Sequence, residues 1–263
     1  MVFMKYLILI GFLASGVARA EINILISYFD AFHKAPFNNS ERIALELKHR
    51  FEKKSLFNIS LCSLPTIYDE AFLGLEECLK TQKNLPDLVL SLGEGGCDLK
   101  LETSLQNNDL SYGPDNLGQE RFNTPIILGA QSHLPLKYPM MEMYCSVKKI
   151  SRNSIIISKS AGSFVCNNTA YKMRYYYPNM NYGFIHVPAN DCFMLQMKSQ
   201  QTIQKLEVMI QSLVNIDLTQ TKEILINSED IRSERAQRSG CERDFYDELQ
   251  KRRHYLFSPT ATN

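Results

Sequence analysis

The feature that most constrains this chain is an alternation of short apolar runs with longer, helix-spaced ones. Residues 21–28 (EINILISY) form a near-continuous Ile/Leu run of the kind a strand needs when both sheet faces are covered. Asn39 or Ser40 then caps a helix whose Ile43, Ala44, Leu47 and Phe51 share one face. Further strands are expected at residues 58–64, 87–92, 155–158 and 182–187. Further helices are expected at 68–80, 139–149, 165–176 and 193–214. Residues 103–125 carry Asn, Asp, Gly and Pro without a period and read as one long loop, a length often reserved for function. Strands alternating with helices predict the α/β class, as a three-layer α/β/α sandwich around a mixed, mainly parallel sheet.

The two ends stand apart from this pattern. Lys5, an apolar stretch over residues 6–17 and Ala18-Arg19-Ala20 have the layout of a secretory signal cut near Ala20. The run is shorter than the ~20 apolar residues that span a bilayer. This predicts a signal peptide at 1–20, a chain exported to the periplasm or secreted, and no stable membrane insertion after cleavage. The main domain is expected over 21–216, and residues 217–263 form a charged C-terminal extension. Within it, 232–253 reads as one polar helix, solvated on the outside or serving as an arm for a partner.

Charge excludes one class of partner. Lys and Arg number 29 against 28 Asp and Glu, a net charge of +1. Loss of Lys5 and Arg19 leaves 27 basic against 28 acidic side chains. Such a balance gives no electrostatic reason to bind nucleic acid. Gly93-x-Gly95-Gly96 has neither the lysine nor the spacing of a phosphate loop. The cysteines Cys62, Cys78, Cys97, Cys145, Cys166, Cys192 and Cys241 read either as small buried apolar residues or as a partly disulfide-bonded set. Their odd number leaves at least one thiol over, and their spacing does not suit zinc.

Chemistry gathers around Cys166. It sits in SAGSFVCNNTAY (residues 160–171), between a strand and a helix, with small residues for a sharp turn. That places the thiol in the first helical turn, where unpaired N–H groups and the helix dipole favour a thiolate and bind an oxyanion. Twenty residues on, FIHVP (184–188) puts His186 at the carboxyl end of a strand, where parallel sheets collect ligands. A Cys and a His supply a nucleophile and a base, and a carboxylate would complete the set.

These blocks, in this order, resemble the pyroglutamyl peptidase I family of cysteine peptidases. SAGSFVCNNTAY is similar to the family's nucleophile block and FIHVP to its histidine block. ILISYFDAF (24–32) and NNS (38–40) resemble the N-terminal block. LSLGEGG (90–96) resembles the glycine-rich turn before the catalytic glutamate. Glu102, Asn107 and Pro114-Asp115-Asn116-x-Gly118 follow in one ungapped register.

The resemblance implies a cysteine-type omega peptidase that removes an N-terminal pyroglutamyl group from small peptides. Cys166 would be the nucleophile, His186 the base and then the acid, and Glu102 the group that orients the imidazole. Phe29, Phe32 and Phe164, with the backbone at Val165 and Gly93, would enclose the substrate ring. No metal and no cofactor is implied, and dimers or tetramers are. With Cys166 reduced, six cysteines remain, enough for three disulfides. The chain departs from the pattern at Tyr28, where the family has glycine and where a side chain is expected to narrow the pocket. It also departs at Ala31, His33 and Asn39, and in a shortened turn carrying Cys97. The other function class is a catalytically altered or silent homologue that binds a peptide end or another small acyl or lactam group.

Overall fold

The computed structural model describes residues 21–32, 34–150, 155–225 and 227–251. The proposed signal at 1–20 lies outside them. β1 (Ile22–Phe29) is followed by α1 (Asn39–Phe51), β2 (Phe57–Leu64), α2 (Glu70–Lys80) and β3 (Leu88–Glu94). The chain continues through three short strands, β4 (Lys100–Glu102), β5 (Ser104–Gln106) and β6 (His133–Pro135), then α3 (Met140–Lys148) and β7 (Ile156–Ser158). α4 (Val165–Tyr176), β8 (Tyr182–Val187) and α5 (Leu195–Ser212) complete the domain, and α6 (Ser228–Ala236) and α7 (Gly240–Lys251) form the extension.

Six strands make one sheet in the order β2-β1-β3-β8-β4-β7, and β5 pairs with β6 in a separate ribbon. β2, β1, β3 and β8 run parallel, whereas β4 lies antiparallel to β8 and carries β7 parallel to itself. The central strands are apolar throughout because helices cover both their faces: every residue of β8 and all but the last of β3 are buried. α1, α3 and α5 pack together in one layer, and α2 packs with α4 in the other. The result is the mixed, mainly parallel α/β/α sandwich.

Sequence and structure differ at three places. β4, β5 and β6 are only three residues long, too short to leave a periodic signal. Residues 103–125, expected as one long loop, hold β5 near their start and fold back through a single antiparallel bridge between Asp109 and Thr124. The polar helix expected at 232–253 is two helices, parted at residues 237–239 before Gly240, whose φ of +54° suits glycine. Nor is that pair merely solvated. Ile231, Phe245 and Leu249 are buried, Phe245 meets Tyr144 of α3 edge-on, and a Cys145–Cys241 disulfide joins α7 to α3. Two further disulfides, Cys62–Cys78 and Cys97–Cys192, leave Cys166 as the free cysteine among the described residues.

Candidate active site

The site forms where strands of one register deliver alternate side chains to one face of the sheet. Gly93 of β3 pairs with His186 of β8, and His186 pairs with Lys100 of β4, two residues from Glu102. Side chains alternate across a strand, so Phe184, His186, Lys100 and Glu102 all project toward the layer holding α4. α4 begins there, with Cys166 as its second residue and its first-turn N–H groups lacking intrahelical partners.

The three reactive groups then fall into line. His186 Nδ1 lies 2.8 Å from Glu102 Oε1, with the imidazole and carboxylate both buried. The Cys166 side chain also acts on the imidazole. Burial, the largest influence, pulls the imidazole toward its neutral form. The hydrogen bonds and charges of Cys166 and Glu102 outweigh it and raise His186 to about 9. Glu102 is itself fixed through its backbone, whose carbonyl accepts the buried Tyr138 hydroxyl at 3.0 Å. Behind the thiol, Tyr182 donates to Ser91 at 2.9 Å, and Ser91 meets Ser27 at 2.6 Å.

Glycines make room for this contact. A Cβ on Gly93 would lie 2.9 Å from Cys166 Sγ and 2.9 Å from the Phe184 ring. One on Gly95 would lie 2.5 Å from the His186 ring. Gly93, expected to touch substrate, lies against the nucleophile and Phe184.

The aromatic residues separate into floor and walls. Phe32 and Phe164 face each other at 5.2 Å, and Tyr68 closes on Phe164 edge-on at 5.3 Å. Phe29 is buried in the core beneath, and Val165 is fully buried at the helix start. Tyr28 does not narrow this cleft. It pairs with Leu92, which pairs with Ile185, so strand alternation puts Tyr28 on the opposite face from His186.

Sequence reasoning missed Tyr68 and the two asparagines after the nucleophile. Asn167 accepts the Gln106 N–H and donates to the Gln106 and Asn108 carbonyls, and Asn168 donates to Asp109. Together they staple the 103–125 segment to the helix that carries Cys166. Asp115 accepts the backbone N–H groups of Tyr68, Leu117 and Gln119, and Asn116 donates to Asp30 and Ala31, so the Pro-Asp-Asn motif ties this segment to β1 and Tyr68. The signal for Tyr68 was its place just ahead of a helix in Thr-Ile-Tyr; nothing local marks it as a cleft wall.

Comparison with known proteins decides the family. The pyroglutamyl peptidase family model matches residues 22–216. The chain belongs to the pyroglutamyl peptidase family. A pyrrolidone-carboxylate peptidase of Thermoanaerobacter sp. (strain X514) is 32% identical over 174 residues, 64% of this chain and 82% of that one. The pyroglutamyl peptidase I of Bacillus amyloliquefaciens superposes with a TM-score of 0.65 at 22% identity, covering 74% of this chain and 98% of that one. A variant of the Pyrococcus furiosus pyrrolidone carboxyl peptidase gives 0.62 at 23% identity, over 74% and 99% of the two chains. These likenesses establish the fold. Residues 217–251, with α6 and α7, lie beyond the family match.

Proposed function

We propose that this pyroglutamyl peptidase removes the N-terminal pyroglutamyl residue from peptides through a Cys166–His186–Glu102 relay. One observation carries the reading: the buried His186 ring lies 2.8 Å from the Glu102 carboxylate, and Cys166 Sγ stands against Gly93, the strand partner of His186. His186 takes the thiol proton of Cys166 as the sulfur attacks the acyl carbon, and N–H groups of the first turn of α4 receive the developing oxyanion. His186 passes its proton to the departing amine, and the peptide leaves one residue shorter. His186 then takes a proton from the water that attacks the thioester and gives it to the leaving sulfur, so that pyroglutamate is released and the thiol restored. Glu102 holds the ring orientation and stabilises the imidazolium.

The cleft suits the leaving acyl group. A pyroglutamyl ring has no ammonium to neutralise, and the walls formed by Phe32, Phe164 and Tyr68 are aromatic and carry no charge. The enzyme is also proposed to act after export. Support comes from the cysteine partition, in which six form disulfides and the nucleophile alone stays free.

The test is hydrolysis of a pyroglutamyl-fluorophore amide beside a prolyl one, by the native protein and Cys166→Ala. Cleavage of the first alone, falling by about 10⁴-fold or more in the variant, is expected. A folded protein with reduced Cys166 and no cleavage would instead favour a homologue that binds a peptide end or another small acyl group.

A further inference from the structure

β3 and β4 are consecutive in the chain but not neighbours in the sheet, because β8 lies between them. Residues 95–99 must therefore cross the carboxyl end of β8, the end that bears His186. They do so as a tight strap. Gly95 donates its N–H to the Val187 carbonyl at 3.1 Å, and the Gly96 carbonyl accepts the Ala189 N–H at 2.7 Å. The Gly95 backbone rests against the imidazole so closely that any side chain would strike it. Two residues on, Cys97 is bonded to Cys192, in the segment that leaves β8. Lys198 of α5 donates to the Cys97 carbonyl at 2.9 Å. The strap then descends antiparallel into β4 and brings Glu102 to His186.

We infer that the strap at residues 95–99, locked by the Cys97–Cys192 disulfide, is a positioning element of the catalytic base. It holds the His186 ring through Gly95 and sets the height at which Glu102 meets it. The inference rests on the proposed peptidase chemistry for its kinetic readout, and on the His186–Glu102 contact for its structural one. The titratable groups facing the ring are Glu102 from β4 and Cys166 from α4. Lys100 belongs to the same face, with its ammonium over Gly96.

A matched control exists within the chain. Cys97–Cys192 closes a separation of 95 residues and Cys145–Cys241 one of 96, so removing either releases a similar constraint on the unfolded chain. Cys145 and Cys241 join α3 to α7, on the helix layer opposite α4. The experiment compares Cys97→Ser/Cys192→Ser, Cys145→Ser/Cys241→Ser and Gly95→Ala with the native protein. Cys166 is kept reduced and the remaining disulfides are verified by mass spectrometry.

The strap variants are expected to lose about 10–100-fold in kcat with KM held within about twofold, the penalty for a misplaced catalytic group. The pH at which the His186 imidazole deprotonates, followed by NMR, should fall in both. The Cys145/Cys241 variant should keep its kcat and its imidazole titration despite a comparable loss of thermal stability. Equal losses in the two disulfide variants, or an unchanged kcat and titration in Gly95→Ala, would overturn the inference. If the native protein cleaves no pyroglutamyl amide, the peptidase reading fails. The NMR titration then still decides the strap, because it needs no substrate.

Discussion

The two sides of the cleft are built by opposite means. On the α4 side, the nucleophile and its supports are neighbours in the chain: Cys166 is followed at once by Asn167 and Asn168, whose side chains hydrogen-bond the 103–125 segment. On the β4 side, Glu102 reaches His186 only after the chain has stepped over β8, and that step is fixed by a covalent bond. A helix start gives a rigid local frame, so reversible bonds suffice there. A five-residue crossing with two glycines has little stiffness of its own and gains it from a cross-link.

Breaking the β4 side at its end point gives the largest expected effect. Glu102→Gln keeps the side-chain volume but removes the charge that holds up the imidazolium. We expect kcat to fall by about 10²–10⁴-fold, by analogy with loss of the orienting carboxylate in Ser-His-Asp enzymes. The pH dependence of kcat/KM that reports His186 should move to lower pH, because the carboxylate that helps raise the imidazole is gone. Stability follows the same sign. A raised histidine pKa stabilises the fold fully below the unfolded value of about 6.5, and the contribution is lost as pH rises through about 9. The stability gap between native and Glu102→Gln should thus be widest just below the unfolded value of about 6.5 and close as pH rises past about 9, as read from denaturant unfolding. A constant gap would mean that the contact with Glu102 is not what raises His186.

The α4 side should respond in stability before it responds in chemistry. Asn167 is fully buried and satisfies both the N–H and the carbonyl of Gln106. Asn167→Ala leaves those groups without a partner in the interior, at a cost of about 2–3 kcal/mol. The unfolding midpoint should drop accordingly, with kcat changing far less than in Glu102→Gln. If kcat instead collapses while the midpoint holds, the asparagine acts on the reaction itself and the division between the two sides is wrong.

The same asymmetry governs what could be read in advance. Cys166 and its helix start were legible because strand, turn and helix are contiguous, and β8 was legible as a fully buried apolar run ending in His186. Glu102 was legible only by register against a family pattern, since β4 has three residues and no period. The strap was not legible at all: that residues 95–99 pass over His186 is a property of sheet order, which short strands do not encode locally. Tyr28 was misread for the converse reason. It is one residue from Phe29 in sequence, and a strand places such neighbours on opposite faces. The C-terminal extension looked solvated because its charges dominate the count, yet a few apolar residues spaced along α6 and α7 suffice to dock it on α3.

The smallest effect is expected where the α4 side meets the substrate. Tyr68 stands against Phe164 edge-on, the Arg121 guanidinium lies 4.5 Å above its ring, and its hydroxyl meets Ser111 at 2.9 Å. The tyrosine is thus held at both its ring face and its hydroxyl, as a wall should be. Tyr68→Leu keeps an apolar surface but loses the edge-on contact, worth about 0.5–1.5 kcal/mol. If that contact shapes the pocket for the ring, KM for a pyroglutamyl amide should rise by about 2–10-fold with kcat nearly unchanged, because the lost surface serves bound substrate and transition state alike. An equal fall in kcat and kcat/KM with KM unmoved would place Tyr68 in the support of Cys166 rather than in the pocket. The aromatic wall would then belong to the same hydrogen-bonded scaffold as Asn167 and Asn168.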